Sequence, residues 1–358
     1  MRYDSVTSEE FRANRKPRVR ATANGQVVSG IIETRISSNS CWSADSYIVT
    51  ATFGDDTKSK APHWASASRI ELNIELSVDA GQSFSNLIRG PVDTVMIDPI
   101  IGTIQIEGRD YTANILSSNS QESFVNRTSS EIASIIAVRH GLNPVITKTT
   151  TLVGSVDSYN RSILTLHQSS KITTDWDMLV YLAELERFCL YVERDSLHFE
   201  APDAIGARVL TISAKGVSEL KMERALPLTS TIQVTVNSWD FNQMKSLSTL
   251  ADTNPGPVAS QSNQALTQST AQFFLTRPNL ISSDAVVLAQ RQLDDLTSHG
   301  RAIEFEMPGE LTLTARDTIQ LIETGTAFDQ LYQIETIDRH LSPSVGFIER
   351  IRAKNISY

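Results

Sequence analysis

Two side chains able to ligate a metal stand two positions apart in His198-Phe199-Glu200. In a strand they would share one face, the arrangement a His/carboxylate metal site needs. The six histidines, at 63, 140, 167, 198, 299 and 340, are otherwise dispersed, and a surface pair is the plainer reading. Glu304 and Glu306 also share a strand face and could serve as a general acid and base. Ile303, Phe305 and Met307 supply the buried side of that strand, so the two glutamates read as its solvated side. Asp175 and Asp177 are accounted for by helix capping. Cys41, beside Trp42, has no base nearby in sequence to activate it. The two cysteines, Cys41 and Cys189, read as reduced, buried thiols.

Known catalytic signatures are missing. The sequence contains no phosphate-binding Gly-rich loop and no dinucleotide-binding Gly-x-Gly-x-x-Gly. Gly216-Val217-Ser218-Glu219-Leu220 fails the nucleophile-elbow pattern at its last position. No catalytic, cofactor-binding or metal residue is therefore assigned, no cofactor is expected, and the interaction surface is left open. The chain reads as a non-enzyme. Arg12, Arg15, Lys16, Arg18 and Arg20 form a short basic arm suited to an acidic protein partner.

The elements that would position these residues are mostly strands. Residues 17–120 alternate apolar and polar, most clearly at Ile70, Leu72, Ile74, Leu76 and Val78, and again at Ile104 and Ile106. Short strands separated by turns predict a small barrel or sandwich. At residue 121 the pattern changes. Thr128-Ser129-Ser130-Glu131 has the form of a capping box, followed by Ile132, Ile135 and Ile136 at helical spacing, with Gly141 as the stop. A second helix starts at Thr174-Asp175-Trp176-Asp177. Strands Leu190–Val192 and Leu197–Phe199 complete an α+β unit over 121–205.

Strands return at 206–241 and 300–358 and predict a second barrel. Between them, residues 242–279 are half Ser, Thr, Asn or Gln, which predicts a long polar excursion, and a helix follows over 283–298. The expected organisation is thus an arm at 1–16, a first barrel at 17–120, the α+β domain at 121–205, a second barrel at 206–241 and 300–358, and an insertion at 242–299. The fold class is mainly β with an α+β insert.

Composition bounds the function. The 358 residues are 40% hydrophobic and 20% charged, ordinary for a folded protein. A net charge of −9 argues against a broad nucleic-acid-gripping surface. The first twenty residues carry no apolar run of signal-peptide length, and no stretch approaches the length of a membrane span. The chain is expected to be soluble and to stay in the cytoplasm, so the Asn-x-Ser/Thr triplets at Asn126, Asn160 and Asn355 read as chance matches. A carbohydrate-binding module would cluster aromatic side chains on one exposed face, whereas Trp42, Trp64, Trp176 and Trp239 are scattered along the sequence.

A set of short runs, in order, carries a resemblance. Gly108-Arg109-Asp110-Tyr111 closes the first strand-rich region. Phe124 to Ala133, His140-Gly141-Leu142, Trp176 to Ala183 and Leu197-His198-Phe199 follow. Met307-Pro308-Gly309, Phe328 to Tyr332 and Gly346-Phe347 come near the end. Over roughly residues 20–358 this order resembles the late-control D proteins, baseplate hubs of contractile-tailed bacteriophages, and is similar to the hub part of type VI secretion spike proteins. The resemblance implies two similar barrels flanking an α+β domain and a homotrimeric ring. That ring would join the sixfold tail tube to the threefold central spike and line the DNA channel, which DNA passes without specific binding. Implied partners are further copies of itself, a tube or tube-initiator protein, other baseplate proteins, and a separate spike, because the chain stops at Tyr358 without a β-helix repeat. The implied location is the virion baseplate, assembled in the host cytoplasm. The alternatives are a hub of a non-phage contractile injection machine and, in a different class, a baseplate-associated cell-wall glycan hydrolase.

Overall fold

The computed structural model describes residues 3–5, 16–52, 61–119, 124, 126–150, 152–153, 174–202, 208–226, 232–240, 245–252, 271–276 and 282–356. After an edge strand β1 (Tyr3–Ser5), the first strand-rich region contributes β2 (Arg18–Ala23), β3 (Gln26–Val28), β4 (Ile31–Asn39), β5 (Ser46–Thr52), helix α1 (Ala61–Ser66), β6 (Glu71–Ser77), β7 (Ser85–Asp98) and β8 (Thr103–Arg109). The middle contributes α2 (Thr112–Leu116), β9 (Arg127–Thr128), α3 (Ser129–Arg139), β10 (Asn143–Ile146), β11 (Leu152–Val153), α4 (Asp175–Glu186), β12 (Cys189–Glu193) and β13 (Ser196–Glu200). There follow β14 (Val209–Ser213), β15 (Glu219–Arg224), β16 (Ile232–Asp240), β17 (Lys245–Asp252), β18 (Ala271–Thr276) and α5 (Ser282–Ser298). The chain closes with β19 (Arg301–Pro308), β20 (Thr318–Ile322), β21 (Leu331–Ser342) and β22 (Gly346–Asn355).

Both strand-rich regions join one 14-stranded sheet, in the order β1-β14-β20-β21-β4-β5-β8-β7-β6-β2-β3, with β22, β19 and β15 branching from β21. β21 is the seam. Its first residues pair with β20, its register shifts between Ile334 and Thr336, and from Thr336 to Leu341 it pairs with β4 of the first half. One irregularity thus hands a single long strand from one neighbour to another. The sequence pattern predicts two small barrels, but the strands form an open sheet and no pairing among the described residues closes either half on itself. Alternation reports which strand face is buried. Closure depends on which edges pair, and that leaves no period in the sequence.

Burial follows the alternation. In the first half Leu72, Ile74, Leu76, Ile104, Ile106, Val49 and Tyr47 form the core, completed by Phe347 from β22. In the second half Ile303, Phe305, Met307, Ile319, Leu321, Tyr332, Ile334 and Ile351 do the same. Two glycines permit close crossings. A Cβ on Gly108 would collide with the Tyr47 ring and the Pro91 carbonyl, and one on Gly309 with the Phe347 ring.

The middle unit packs α2, α3 and α4 on the three-stranded sheet β10-β13-β12. Both longer helices begin as their sequences predict. Thr128 and Glu131 form a reciprocal capping box on α3, and Thr174 and Asp177 form another on α4. The polar stretch expected as an excursion instead supplies two strands, and the rest of it lies outside the described residues. β17-β16-β18 form a small sheet whose inner face, Ile232, Val234 and Val236, packs on Ala285, Ala289 and Leu293 of α5. Alternating Leu247, Thr249 and Ala251 gave β17 its inward face despite the polar composition around it.

Candidate interaction surface and its buried supports

His198 and Glu200 do share a strand face, but they are bonded to each other. His198 Nδ1 lies 2.7 Å from Glu200 Oε2, and the Tyr191 hydroxyl donates to the same oxygen at 3.0 Å. The Tyr191 and His198 rings stack 4.4 Å apart, and the Arg316 guanidinium sits 3.9 Å from the other aromatic centre of the pair, that of Tyr191. Burial pushes the Tyr191 hydroxyl above its ordinary range. This ladder ties the middle unit to the second half and leaves Glu200 committed to its neighbours. Among the described residues, no group of three or more His, Cys, Asp and Glu side chains is placed to hold a metal.

Glu304 and Glu306 lie on the outer face of β19, as the alternation predicts. Glu304 is 3.5 Å from Lys221 and Glu306 is 3.3 Å from Arg350, both partly exposed pairs of small energetic weight. Asp177 caps α4. Asp175, 1% exposed, does more: His140 Nε2 is 2.8 Å away and Arg139 NH1 3.3 Å, so the start of α4 is tied to the end of α3. Of the basic arm, Arg12 and Arg15 lie outside the described residues. Arg20 is engaged by Glu75 at 2.6 Å and by the Phe84 ring at 4.2 Å.

The two thiols are not separate. Cys41 and Cys189 are joined in a disulfide, their Cα atoms 5.3 Å apart. The reading of two reduced cysteines fails because a separation of 148 residues carries no sign of contact, whereas the fold lays the β4–β5 loop along β12. Trp42 N donates to the Leu190 carbonyl at 2.8 Å, and its indole N–H donates to the Phe188 carbonyl at 3.0 Å. Behind this hook lie two carboxylates. Asp110 Oδ2 accepts from Asp45 N at 3.3 Å and Asp110 Oδ1 from Thr112 N at 3.0 Å, while Asp45 Oδ1 accepts from Asn39 N at 2.8 Å. Burial raises Asp45 to about 6; burial and the neighbouring Asp45 charge raise Asp110 to about 7.

At the seam itself a cleft of about 410 Å³ opens between the halves, lined among others by Arg35, Tyr47, Ile48, Asp338, His340 and Arg350. Its rim is cross-linked by Glu33, 2.8 Å from His340 and 2.7 Å from Arg35. Beneath it Arg339, 5% exposed, donates to fully buried Glu349 at 2.8 Å and to the Leu313 carbonyl at 2.6 Å. Burial raises Glu349 to about 7 while the Arg339 guanidinium pulls the other way. The seam is a charge-paired junction. Asp110 stands inside the run Gly108–Tyr111 that carried the resemblance, but nothing in the run signals its burial. Arg339 and Glu349 sit in unremarkable alternating strands, so only the three-dimensional register could bring them together.

A family profile described as the Alg8 N-terminal domain matches residues 93–297. The chain belongs to the Alg8 N-terminal domain family. The matched span starts within β7 and ends within α5, so it follows no boundary of the fold, and its description says nothing of a tail. No curated protein sequence matches the chain. Solved structures do resemble it. The 43 kDa tail protein of prophage MuSo2 from Shewanella oneidensis is 14% identical, with a TM-score of 0.66 over 95% of this chain and 97% of its own. The tail protein from Neisseria meningitidis MC58 is also 14% identical, with a TM-score of 0.67 over 95% and 96%. A component of the E. coli type VI secretion system, described as structurally similar to T4 bacteriophage tail proteins, is 10% identical, with a TM-score of 0.51 over 96% and 77%. At these identities the likeness is one of fold. The fold is that of phage and type VI secretion tail proteins.

Proposed function

We propose that the chain is a non-enzymatic structural component of a contractile tail, acting as its baseplate hub. In this reading three copies close into a ring that joins the sixfold tube to the threefold spike and lines the DNA channel. The observation that carries it is the end-to-end fold likeness to two phage tail proteins, which spans at least 95% of both chains in each case. The open sheet adds a physical argument. Among the described residues β1, β3 and β15 each pair on one side only, and such edges are normally covered or paired in a working assembly. The two strand-rich halves would give six units per trimer. The divisions at 17, 121, 206 and 300 belong to this reading, whereas one at 242 would part β16 from β17 and β18, with which it pairs. The tube or its initiator, a separate spike and other baseplate proteins are the partners, and the location is the virion baseplate after assembly in the host cytoplasm. A net charge of −9 suits a channel that repels phosphate and lets DNA slide.

The likeness to the type VI secretion component favours a second reading, the same hub in a non-phage injection machine. The glycan hydrolase is not favoured, since the fold neighbours are tail proteins. Multi-angle light scattering on the purified chain tests the proposal: it predicts a particle about three times the 39.5 kDa chain mass. A monomer at all concentrations would remove it.

A further inference from the structure

The outer face of the β17-β16-β18 sheet carries an ordered cross-strand pattern. Opposed residues fall into rows across the three strands: Asp252, Gln233 and Gln272; Leu250, Thr235 and Phe274; Ser248, Asn237 and Thr276; then Ser246 and Trp239. Phe274 is 69% exposed, Leu250 58% and Trp239 46%, while α5 covers the opposite face. The polar row is already ordered, because the Gln272 amide donates to Gln233 Oε1 at 3.4 Å and the Gln233 amide donates to Asp252 Oδ2 at 3.1 Å.

We infer that this face binds a neutral oligosaccharide, with Trp239 and Phe274 stacking on separate sugar rings, the Ser248–Asn237–Thr276 row between them meeting sugar hydroxyls, and the Gln233 and Gln272 amides extending the polar surface beyond Phe274. Three features favour that occupant. The apolar side chains stand apart around a polar centre, the inverse of a protein interface, whose apolar core is ringed by polar groups. Asp252 is the one ionisable side chain in these rows, and it is spent on Gln233, so the face offers nothing to a polyanion. Trp239 and Phe274 are separated by four residues along a strand, about 13 Å, and by one strand spacing of about 4.8 Å, so one extended chain can meet both. Preordered amides keep the cost of orienting donors low. The four tryptophans, scattered in sequence, thus separate in space: Trp64 and Trp176 are buried, Trp42 is held by the Phe188 carbonyl, and Trp239 shares its face with Phe274.

The inference does not depend on the hub reading, and its test separates the two. The full chain is titrated calorimetrically with chitohexaose and cellohexaose as neutral probes and heparin as an anionic one. Trp239→Ala and Phe274→Ala are run alongside, with thermal melting to confirm folding and light scattering to follow mass. Saturable binding of a neutral probe, weakened at least tenfold by each substitution and absent for heparin, is expected. Failure of both neutral probes, equal binding of heparin, or binding indifferent to both substitutions would overturn it. So would a change of oligomer mass in the variants without sugar binding, which would make the face a subunit contact.

Discussion

In the first half of the large sheet β2 to β8 are consecutive in sequence, and the core that joins them, from Ala21 to Ile106, is apolar, with Phe347, Leu311 and Leu341 packing on it from the far end. In the second half β14 and β15 are separated from β19 to β22 by the β16–β18 unit and α5. There the apolar core is supplemented by a buried ion pair, Arg339 with Glu349, and by Asp317, 3.0 Å from the partly exposed Arg208, whereas the carboxylates of the first half, Asp45 and Asp110, accept from backbone N–H groups. The contrast teaches where specificity is needed. A contiguous run of alternating strands finds its register through hydrophobic patterning. For strands gathered from distant segments we propose that a buried ion pair penalises wrong partners, at some cost in stability.

The largest test of that contrast is the disulfide, which ties the first half to the middle unit. In the chain-entropy view, closing a loop of 148 residues contributes up to about 5 kcal/mol. Denaturant unfolding with and without reductant should show a loss of that order, and Cys41→Ser with Cys189→Ser should reproduce it. Next, Glu349→Ala strands the buried Arg339 guanidinium and should cost about 3–5 kcal/mol. Replacing both members with apolar residues should be far milder, with more misregistered or aggregated protein on refolding. Arg350→Ala on the surface should stay within about 1 kcal/mol.

A pH series sharpens the comparison further. Asp45 at about 6, Asp110 at about 7 and Glu349 at about 7 are all raised above their unfolded values. The fold therefore favours their protonated forms. The stability they contribute is full below the unfolded pKa near 4 and is lost as pH rises through 6 to 7. The denaturation midpoint should climb as pH falls from 8 to 5.5, and Asp110→Asn should flatten that dependence. The smallest effect is local. Thr128→Ala or Thr174→Ala removes half of a capping box and should cost about 1 kcal/mol, read by thermal melting.

What could be read from the sequence divides along the same line. Period-two alternation at Leu72 to Leu76 and Ile303 to Met307, and the boxes at Thr128 and Thr174, are local signals, and the structure has those strands and helices. Pairing of β21 with β4, the Cys41–Cys189 bond and the burial of Asp45, Asp110, Arg339 and Glu349 depend on residues far apart in sequence, Thr34 and Leu341 for example, which leave no local trace. The outer face of the small sheet was hidden differently: Trp239, Leu250 and Phe274 fall in three strands, and composition alone marked two of those strands as a polar excursion.

Closure of three copies into a ring is tested directly by particle imaging of the purified chain at high concentration. Class averages with threefold symmetry and six similar lobes around a central hole are predicted. An open arc, a different number of members, or single particles alone would contradict it.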